Sequence, residues 1–285
     1  MDQTREMTSL NVSPDVTFVT VYFNTPDATR ALLKSFENAR FGFAHEYYLI
    51  DNNPAARMGT EIKRDHPWVQ VILSPKNSGF GVGNNIGMRR ARGRYVILVN
   101  PDLKISPGEM EKWITWMDEH QDVGISGPRV LNPDGTDQHS CYHFYSLMTP
   151  LYRRTILGKT PWGKRALNRF LMTDMDRSQE RDVDWVLGAA MCIRREVLER
   201  IGYFDPRFFM YFEDADLCFR TWEAGFRVTY TPAAQFTHEY QHQSRTRHVW
   251  EAFTNKLARI HIASGLKFFL KHFGKPNPRI RTKQE

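Results

Sequence analysis

Three groups of residues have the types and spacing for chemistry. The first is Asn100-Pro101-Asp102, which ends the apolar run Tyr95–Val99. Aromatic, β-branched and aliphatic residues in succession read as a strand buried on both faces. Proline cannot continue a central strand, so the chain turns and presents Asp102 at the strand's carboxyl end, where open α/β sheets bind ligands. A carboxylate placed there can hold a divalent cation through oxygen. An Asx turn closing the strand would use the same residues. The second group is Glu213-Asp214-Ala215-Asp216, which follows the aromatic segment Phe208-Phe209-Met210-Tyr211-Phe212. Acidic residues in a first helical turn are favoured by the macrodipole. Beside an aromatic wall, a carboxylate's pKa also rises towards that of a general base. The third group is the glycine-rich run from Asn77 to Gly87, whose backbone amides can approach a phosphate or a flat ring. His238 stands alone, as a ligand or as a buried structural histidine.

The elements that must position these residues are short and alternate in type. Strands are expected over 16–23, 46–50 and 68–73, with helices over 26–38 and 57–65 between them. Thr25 is placed as an N-cap and Pro26 as the first helical residue. That alternation predicts a parallel, doubly wound α/β sheet. The glycine run then leads into a basic helix over 88–92. Ser106-Pro107 caps a helix over 108–120, and a strand covers 123–130. Residues 136–181 lose periodicity and read as a partly helical, substrate-facing excursion or a mobile surface segment. A strand over 183–194 carries small residues at its middle. A helix from Glu213 to about Ala224 stops at Gly225, and a last strand covers 226–230. Residues 245–273 form a long, basic, amphipathic helix.

With 285 residues, 41% of them hydrophobic, the chain can build one large α/β domain with appendages. Its formal charge of +7 suits anionic partners: nucleotide phosphates, anionic lipid or nucleic acid. Cys141, Cys192 and Cys218 have no C-x-x-C spacing, which favours a reduced cytosolic compartment. No apolar run approaches the ~20 residues that span a bilayer. The first fifteen residues are polar and read as a loose tail without a signal-peptide core.

The ordered set of segments resembles the family 2 glycosyltransferases, which have the nucleotide-diphospho-sugar transferase (GT-A) fold. The matching pieces are V-T-V-Y-F-N ending at Asn24, L-I-D-N-N around Asp51, the run from Asn77 to Gly87, and V-N-P-D ending at Asp102. They continue with W-V-L-G-A-A-M from Trp185, F-F-M-Y-F-E-D-A-D-L-C-F-R from Phe208, and His238. The resemblance implies a Rossmann-like, mostly parallel sheet flanked by helices. It places a GT-A domain over 16–244, with a nucleotide-binding half (16–130) and an acceptor and catalytic half (131–244). Residues 1–15 are then a flexible tail, and 245–285 a C-terminal amphipathic helix and basic tail.

The same resemblance implies roles. Tyr22, Asn24 and Asp51 line the base and ribose, and Gly79, Phe80, Asn84 and Asn100 also border the donor. Asp102 and His238 hold a divalent cation, Mn²⁺ or Mg²⁺, that bridges the donor diphosphate. Asp214 is the catalytic base with Glu213 as its companion, and Trp185 and Gly188 line the sugar and acceptor pocket. Asn100 stands where the family's D-x-D motif has its first aspartate. That form is similar to the rhamnosyltransferase-like branch, which points to dTDP-L-rhamnose as donor, with a UDP-hexose as the alternative. The implied reaction is an inverting transfer to a hydroxyl of a saccharide or polyprenyl-linked acceptor, in bacterial cell-surface polysaccharide synthesis. Absence of Q-x-x-R-W implies one transfer per acceptor. The location is cytoplasmic or peripheral on the inner face of the plasma membrane. Trp250, Phe253, Leu266, Phe268 and Phe273, with interspersed Lys and Arg, would dock on an anionic membrane surface, on the domain itself, or on a second subunit in a homodimer.

Two other classes remain for comparison. An NAD(P)-dependent oxidoreductase rests on the glycine run alone, which reads G-x-G-x-x-x-G and follows the third strand rather than the first. A nucleic-acid-binding module rests on charge alone and lacks a recognised motif, so nucleic acid is not expected as a partner.

Overall fold

The computed structural model describes residues 13–53, 55, 58–239 and 255–282. Its centre is a nine-stranded sheet. Strands β1 (Val16–Tyr22), β2 (His45–Asp51), β3 (Gln70–Leu73) and β4 (Tyr95–Val99) pair in parallel in the order β3-β2-β1-β4. Helices α1 (Pro26–Ala39), α2 (Met58–Asp65) and α3 (Phe80–Met88) make the crossovers. Two-residue β5 (Leu103–Lys104), α4 (Glu109–Glu119) and β6 (Val123–Leu131) follow. An excursion then holds β7 (Cys141–Tyr142), α5 (Thr149–Arg154), a 3₁₀ turn (Ile156–Lys159), α6 (Pro161–Leu171) and β8 (Arg181–Asp182). After β9 (Trp185–Val186) the chain re-enters the sheet as β10 (Ala190–Arg194). Helices α7 (Arg195–Ile201) and α8 (Glu213–Glu223) lead to β11 (Arg227–His238). A C-terminal helix (Lys256–Lys271) and a final turn (Pro278–Thr282) complete the described chain.

Strand β10 lies between β4 and β6 and runs against both, while β11 is parallel to β6. All other long strands therefore point the same way. The carboxyl ends of β1, β2, β4 and β11 share one edge with the amino end of β10. That edge collects Tyr22, Asp51, Asn100, Asp102, Gly188 and His238.

Alternation along β4 shows why the sheet is buried on both sides. Val96 and Leu98 join one core with α3, α7, α8 and Phe268 of the C-terminal helix. Tyr95, Ile97 and Val99 join the other core with Leu32, Leu33, Ile62 and Trp113 of α1, α2 and α4. Successive strand side chains point to opposite faces, so a continuous apolar run serves two cores.

Several expectations change in detail. The glycine-rich run is itself helix α3, and the chain turns at Arg89–Arg90 rather than starting a basic helix there. A Cβ on Gly87 would sit 2.5 Å from Val19, and one on Gly83 3.0 Å from Val21, both on β1. These glycines let a helix lie close on a β-branched strand. Helix α4 begins after Gly108 (φ 82°), without a side-chain cap from Ser106. Thr25 occupies its N-cap position but makes no capping hydrogen bond. The segment 183–194 is two strands, broken at Leu187-Gly188-Ala189. Strand β11 continues through a bulge between Thr231 and Gln235 as far as His238. The C-terminal helix is described from Lys256. Its expected first turns, with Trp250 and Phe253, and most of the N-terminal tail lie outside the described residues.

Candidate active site

At the ends of β1 and β2, Tyr22 and Asp51 sit side by side in register. Asp51 is fully buried. Its Oδ1 accepts from the Asn53 amide (2.9 Å) and its Oδ2 from the Gly59 amide (3.0 Å). The carboxylate thus closes the turn into α2, the role an aspartate at a strand end takes in an Asx turn. Burial, with the Asp51 charge beside it, raises the Tyr22 hydroxyl above its ordinary pKa. Asn24 takes the left-handed conformation (φ 56°) and accepts a hydrogen bond from the Asn53 side chain.

Asn52, within the L-I-D-N-N piece but given no role there, organises the next segment. Its Nδ2 donates to Gly79 O (3.1 Å) and Asn77 Oδ1 (3.2 Å), and its Oδ1 accepts from the Ser78 amide and hydroxyl. Gly79 has φ 83°, and a Cβ there would lie 2.0 Å from Phe209 O. Phe80 N donates to that same carbonyl at 2.9 Å. Asn84 turns back onto its own helix, donating to Phe80 O. Asn85 instead pairs with both backbone groups of Phe204, at 2.8 and 3.0 Å. The glycine segment is therefore fastened to the loop that precedes α8.

That loop presents the acidic pair. Tyr211 and Phe212 are both left-handed (φ 73° and 69°), a conformation costing roughly 1–2 kcal/mol per residue. Asp214 Oδ1 accepts from the Ala215 amide (2.9 Å) and Oδ2 from the Gly188 amide (3.2 Å). Burial pushes Asp214 up to about 6, while the two amides favour its charged form. Glu213 also receives backbone hydrogen bonds, at Glu213 and Tyr211, that favour its charged form, but its Oε2 is buried without a hydrogen-bond partner. Burial first, then the charge of Asp214, raises Glu213 well above the carboxylate range. Of the two carboxyls, Asp214 is therefore the more readily charged.

The other pole is Asp102 with His238. Strand pairing of β11 with β5 sets His238 opposite Leu103, and Glu239 N donates to Asp102 O at 2.9 Å. Asp102 Oδ1 and His238 Nε2 are 3.1 Å apart. On the far side, His238 Nδ1 meets Gln138 Oε1 at 2.6 Å. Gln138 Nε2 donates to Asn132 Oδ1, and Asn132 Nδ2 to Thr136 Oγ1. This chain orients the Gln138 amide with its oxygen towards the ring, so Nδ1 donates to it and Nε2 is the atom turned to Asp102. A carboxylate oxygen and an imidazole nitrogen side by side can share a cation, and Asp102 Oδ1 takes no regular hydrogen bond. Imidazole nitrogen with carboxylate oxygen suits Mn²⁺, and also Mg²⁺ with less nitrogen preference. No cluster of three or more His, Cys, Asp or Glu occurs among the described residues, so the remaining ligands would come from a bound phosphate or water. Gln138 has no motif signal in the sequence.

Backbone bonds join the two poles. Asn100 N donates to Ala189 O (2.8 Å), one residue from Gly188, whose amide holds Asp214. A Cβ on Gly188 would be 3.1 Å from the Phe80 ring, so glycine allows Phe80, α8 and the β9–β10 break to meet. Trp185 is buried and donates through Nε1 to His143 O (2.9 Å). It stacks on Tyr142 and Tyr145, with centroids at 4.4 and 5.4 Å. Burial raises the Tyr145 hydroxyl strongly.

Comparison with known proteins agrees with this geometry. The family model described as "Glycosyltransferase like family 2" matches residues 14–261. An N-acetylglucosaminyl-diphospho-decaprenol L-rhamnosyltransferase of Mycobacterium tuberculosis is 30% identical over 207 residues, covering 69% of this chain and 67% of that protein. Rhamnosyltransferase WbbL of Escherichia coli K12 is 24% identical, over 84% of this chain and 87% of WbbL. Among solved structures, GalNAc-T7 with UDP, GalNAc and Mn²⁺ superposes with a TM-score of 0.60 at 14% identity, over 95% of this chain and 54% of that one. S. aureus TarS 1-349 with UDP gives 0.51 at 15% identity, over 78% of this chain and 60% of that one. The architecture is that of the GT-A glycosyltransferases, a mixed, mostly parallel sheet flanked by helices. This chain belongs to the glycosyltransferase family 2.

Proposed function

We propose that the protein is an inverting glycosyltransferase that moves L-rhamnose from dTDP-L-rhamnose to a hydroxyl of a diphospholipid-linked saccharide, within cell-surface glycan synthesis. The single observation that carries this reading is the pairing, at one sheet edge, of a buried carboxylate raised to about 6 with an Asp–His pair oriented for a cation. The donor half is assigned to 16–130 and the acceptor half to 131–244. Rhamnose and the lipid-linked acceptor are supported by the names of the two relatives.

Asp214 takes the proton from the acceptor hydroxyl as it attacks the anomeric carbon, a general-base role worth roughly 10²–10⁴-fold. Attack opposite the leaving group inverts the centre in one displacement, so no carboxylate nucleophile is needed. Glu213, protonated, keeps a second negative charge from competing for that proton. Asp102 and His238 would hold Mn²⁺ or Mg²⁺, which when bound neutralises charge on the departing diphosphate. Tyr22, Asn24 and Asp51 frame the base and ribose. Gly79, Phe80, Asn84 and Asn100 border the donor, and Trp185 and Gly188 border the acceptor. A lipid-linked acceptor would bring the protein to the cytoplasmic face of a membrane.

The test is thermal stabilisation by dTDP, UDP, GDP, their sugars and NAD, with and without Mn²⁺. A ligand at 100-fold its Kd adds ~2.7 kcal/mol. Stabilisation by dTDP species that needs Mn²⁺ and disappears in Asp102→Ala supports the reading. Preference for UDP species moves the donor, and stabilisation by NAD alone overturns the reading.

A further inference from the structure

Three large apolar side chains are exposed close together in sequence. In the excursion after β7, Ile156 is 77% exposed, Leu147 71% and Trp162 62%. The segment is nonetheless folded. A Cβ on Gly158 would lie 2.1 Å from Tyr152 O, and one on Gly163 2.1 Å from Leu157 O. Thr160 caps α6 by accepting from the Gly163 amide. Backbone-to-glycine contacts close this small helical unit, so its bulky side chains project outward. Contiguous exposed apolar surface of this kind marks a docking site.

Charge indicates the partner. Residues 138–173 contain no Asp or Glu but include Arg153, Lys159, Lys164, Arg165 and Arg169. The C-terminal helix repeats the pattern. Its inner face is fixed by Phe268, 5.5 Å from Phe212, while Leu266, Leu270 and Phe273 on its outer face are 60–82% exposed. Residues 255–282 also lack Asp and Glu. The two surfaces adjoin one aromatic cluster: the Tyr145 ring lies 4.3 Å from Phe212, 6.3 Å from Phe268 and 5.4 Å from Trp185. Lys271 and Lys275 pair with Asp205, Asp216 and Glu223 of neighbouring segments, while the exposed basic residues of the excursion, interspersed with apolar ones, complement an anionic lipid surface.

We infer that the excursion 147–169, with the outer stripe of the C-terminal helix, docks the protein on an anionic phospholipid bilayer. The surface stands on its own chemistry. Its use, to bring a lipid-linked hydroxyl to the Trp185 side of the site, rests on the transferase reading above.

The full chain would be floated with phosphatidylglycerol–phosphatidylcholine vesicles and with pure phosphatidylcholine vesicles, beside the double variants Ile156→Ser/Trp162→Ser and Lys164→Glu/Arg165→Glu. The expected result is salt-sensitive flotation with the anionic vesicles only, weakened at least about tenfold in each double variant. Nucleotide-dependent stabilisation should be unchanged in both variants, which also shows that they fold. Equal flotation on neutral vesicles, or flotation indifferent to both double variants, overturns the inference. So does a wild-type dimer by light scattering that the Ile156/Trp162 variant dissociates while no form floats, since the face is then a contact between copies. Loss of nucleotide stabilisation in every form with flotation intact would refute the transferase reading and leave the docking surface standing.

Discussion

Replacing Asp214 by Asn separates catalysis from stability. Folding carries this carboxyl from an ordinary pKa of 3.8 to about 6, because burial outweighs its two amide donors. A group raised on folding is no burden while protonated, below pH ~4. Stability is lost as pH rises from the unfolded value, 3.8, and the loss is complete above the folded value, about 6. The rise from 3.8 to about 6 corresponds to about 3 kcal/mol of destabilisation above pH ~7. Asn carries no charge, but its oxygen satisfies only one of the Ala215 and Gly188 amides, leaving the other against an NH₂ group at about 1–3 kcal/mol. The variant should therefore be less stable than the native protein at pH 4 and roughly equal or more stable at pH 8. The difference should move by about 3 kcal/mol in its favour. Urea unfolding at both pH values measures this. Transfer should fall ~10²–10⁴-fold, and the native rate should decline below pH ~6 as Asp214 protonates. A stability difference that does not change with pH would refute the burial argument. Undiminished transfer would refute the base.

Gln138→Leu should weaken Mn²⁺ binding by roughly 10–100-fold in a titration read by electron paramagnetic resonance, because the His238 tautomer is no longer set. Melting without metal should change little by comparison. Gly79→Ala should cost about 2–4 kcal/mol in urea unfolding, since it combines φ 83° with a Cβ against Phe209 O. Asp216→Ala should cost about 3–5 kcal/mol, because it takes from Arg220 a fully buried carboxylate 2.9 Å away and leaves Lys271 with Asp205 alone. Limited proteolysis of that variant should cut the C-terminal helix first.

Strands β1, β2 and β4 were legible because buried parallel strands need uninterrupted β-branched and aromatic residues, and their ends carry Asn, Asp and Pro. The reversed strand β10 was not, since strand direction leaves no periodic mark. Asp102, Asp214 and His238 were legible as chemistry-bearing types, but their convergence came from an ordered resemblance, not from spacing. The glycines of α3 suggest a phosphate loop because the same residue serves open turns and close helix packing. Gln138, Asn52 and Asn85 act through amide bonds to residues 26 to 119 positions away, which local pattern cannot reveal. Consecutive left-handed residues at Tyr211-Phe212 defy local preference, and only the packed loop holds them.

Asp216 lies two residues beyond the proposed base and gathers Arg220 from its own helix with Lys271 and His272 from the far end of the chain. These last two partners leave the ribosome more than fifty residues after Asp216 does. During synthesis, the acidic turn of α8 therefore lacks Lys271 and His272 until more than fifty further residues have been made. A nascent chain can complete the nucleotide-side strands early, but the acidic turn comes to rest only after the C-terminal helix has been made. Translation order thus delays the settled acidic turn until the helix beyond the sheet is in place.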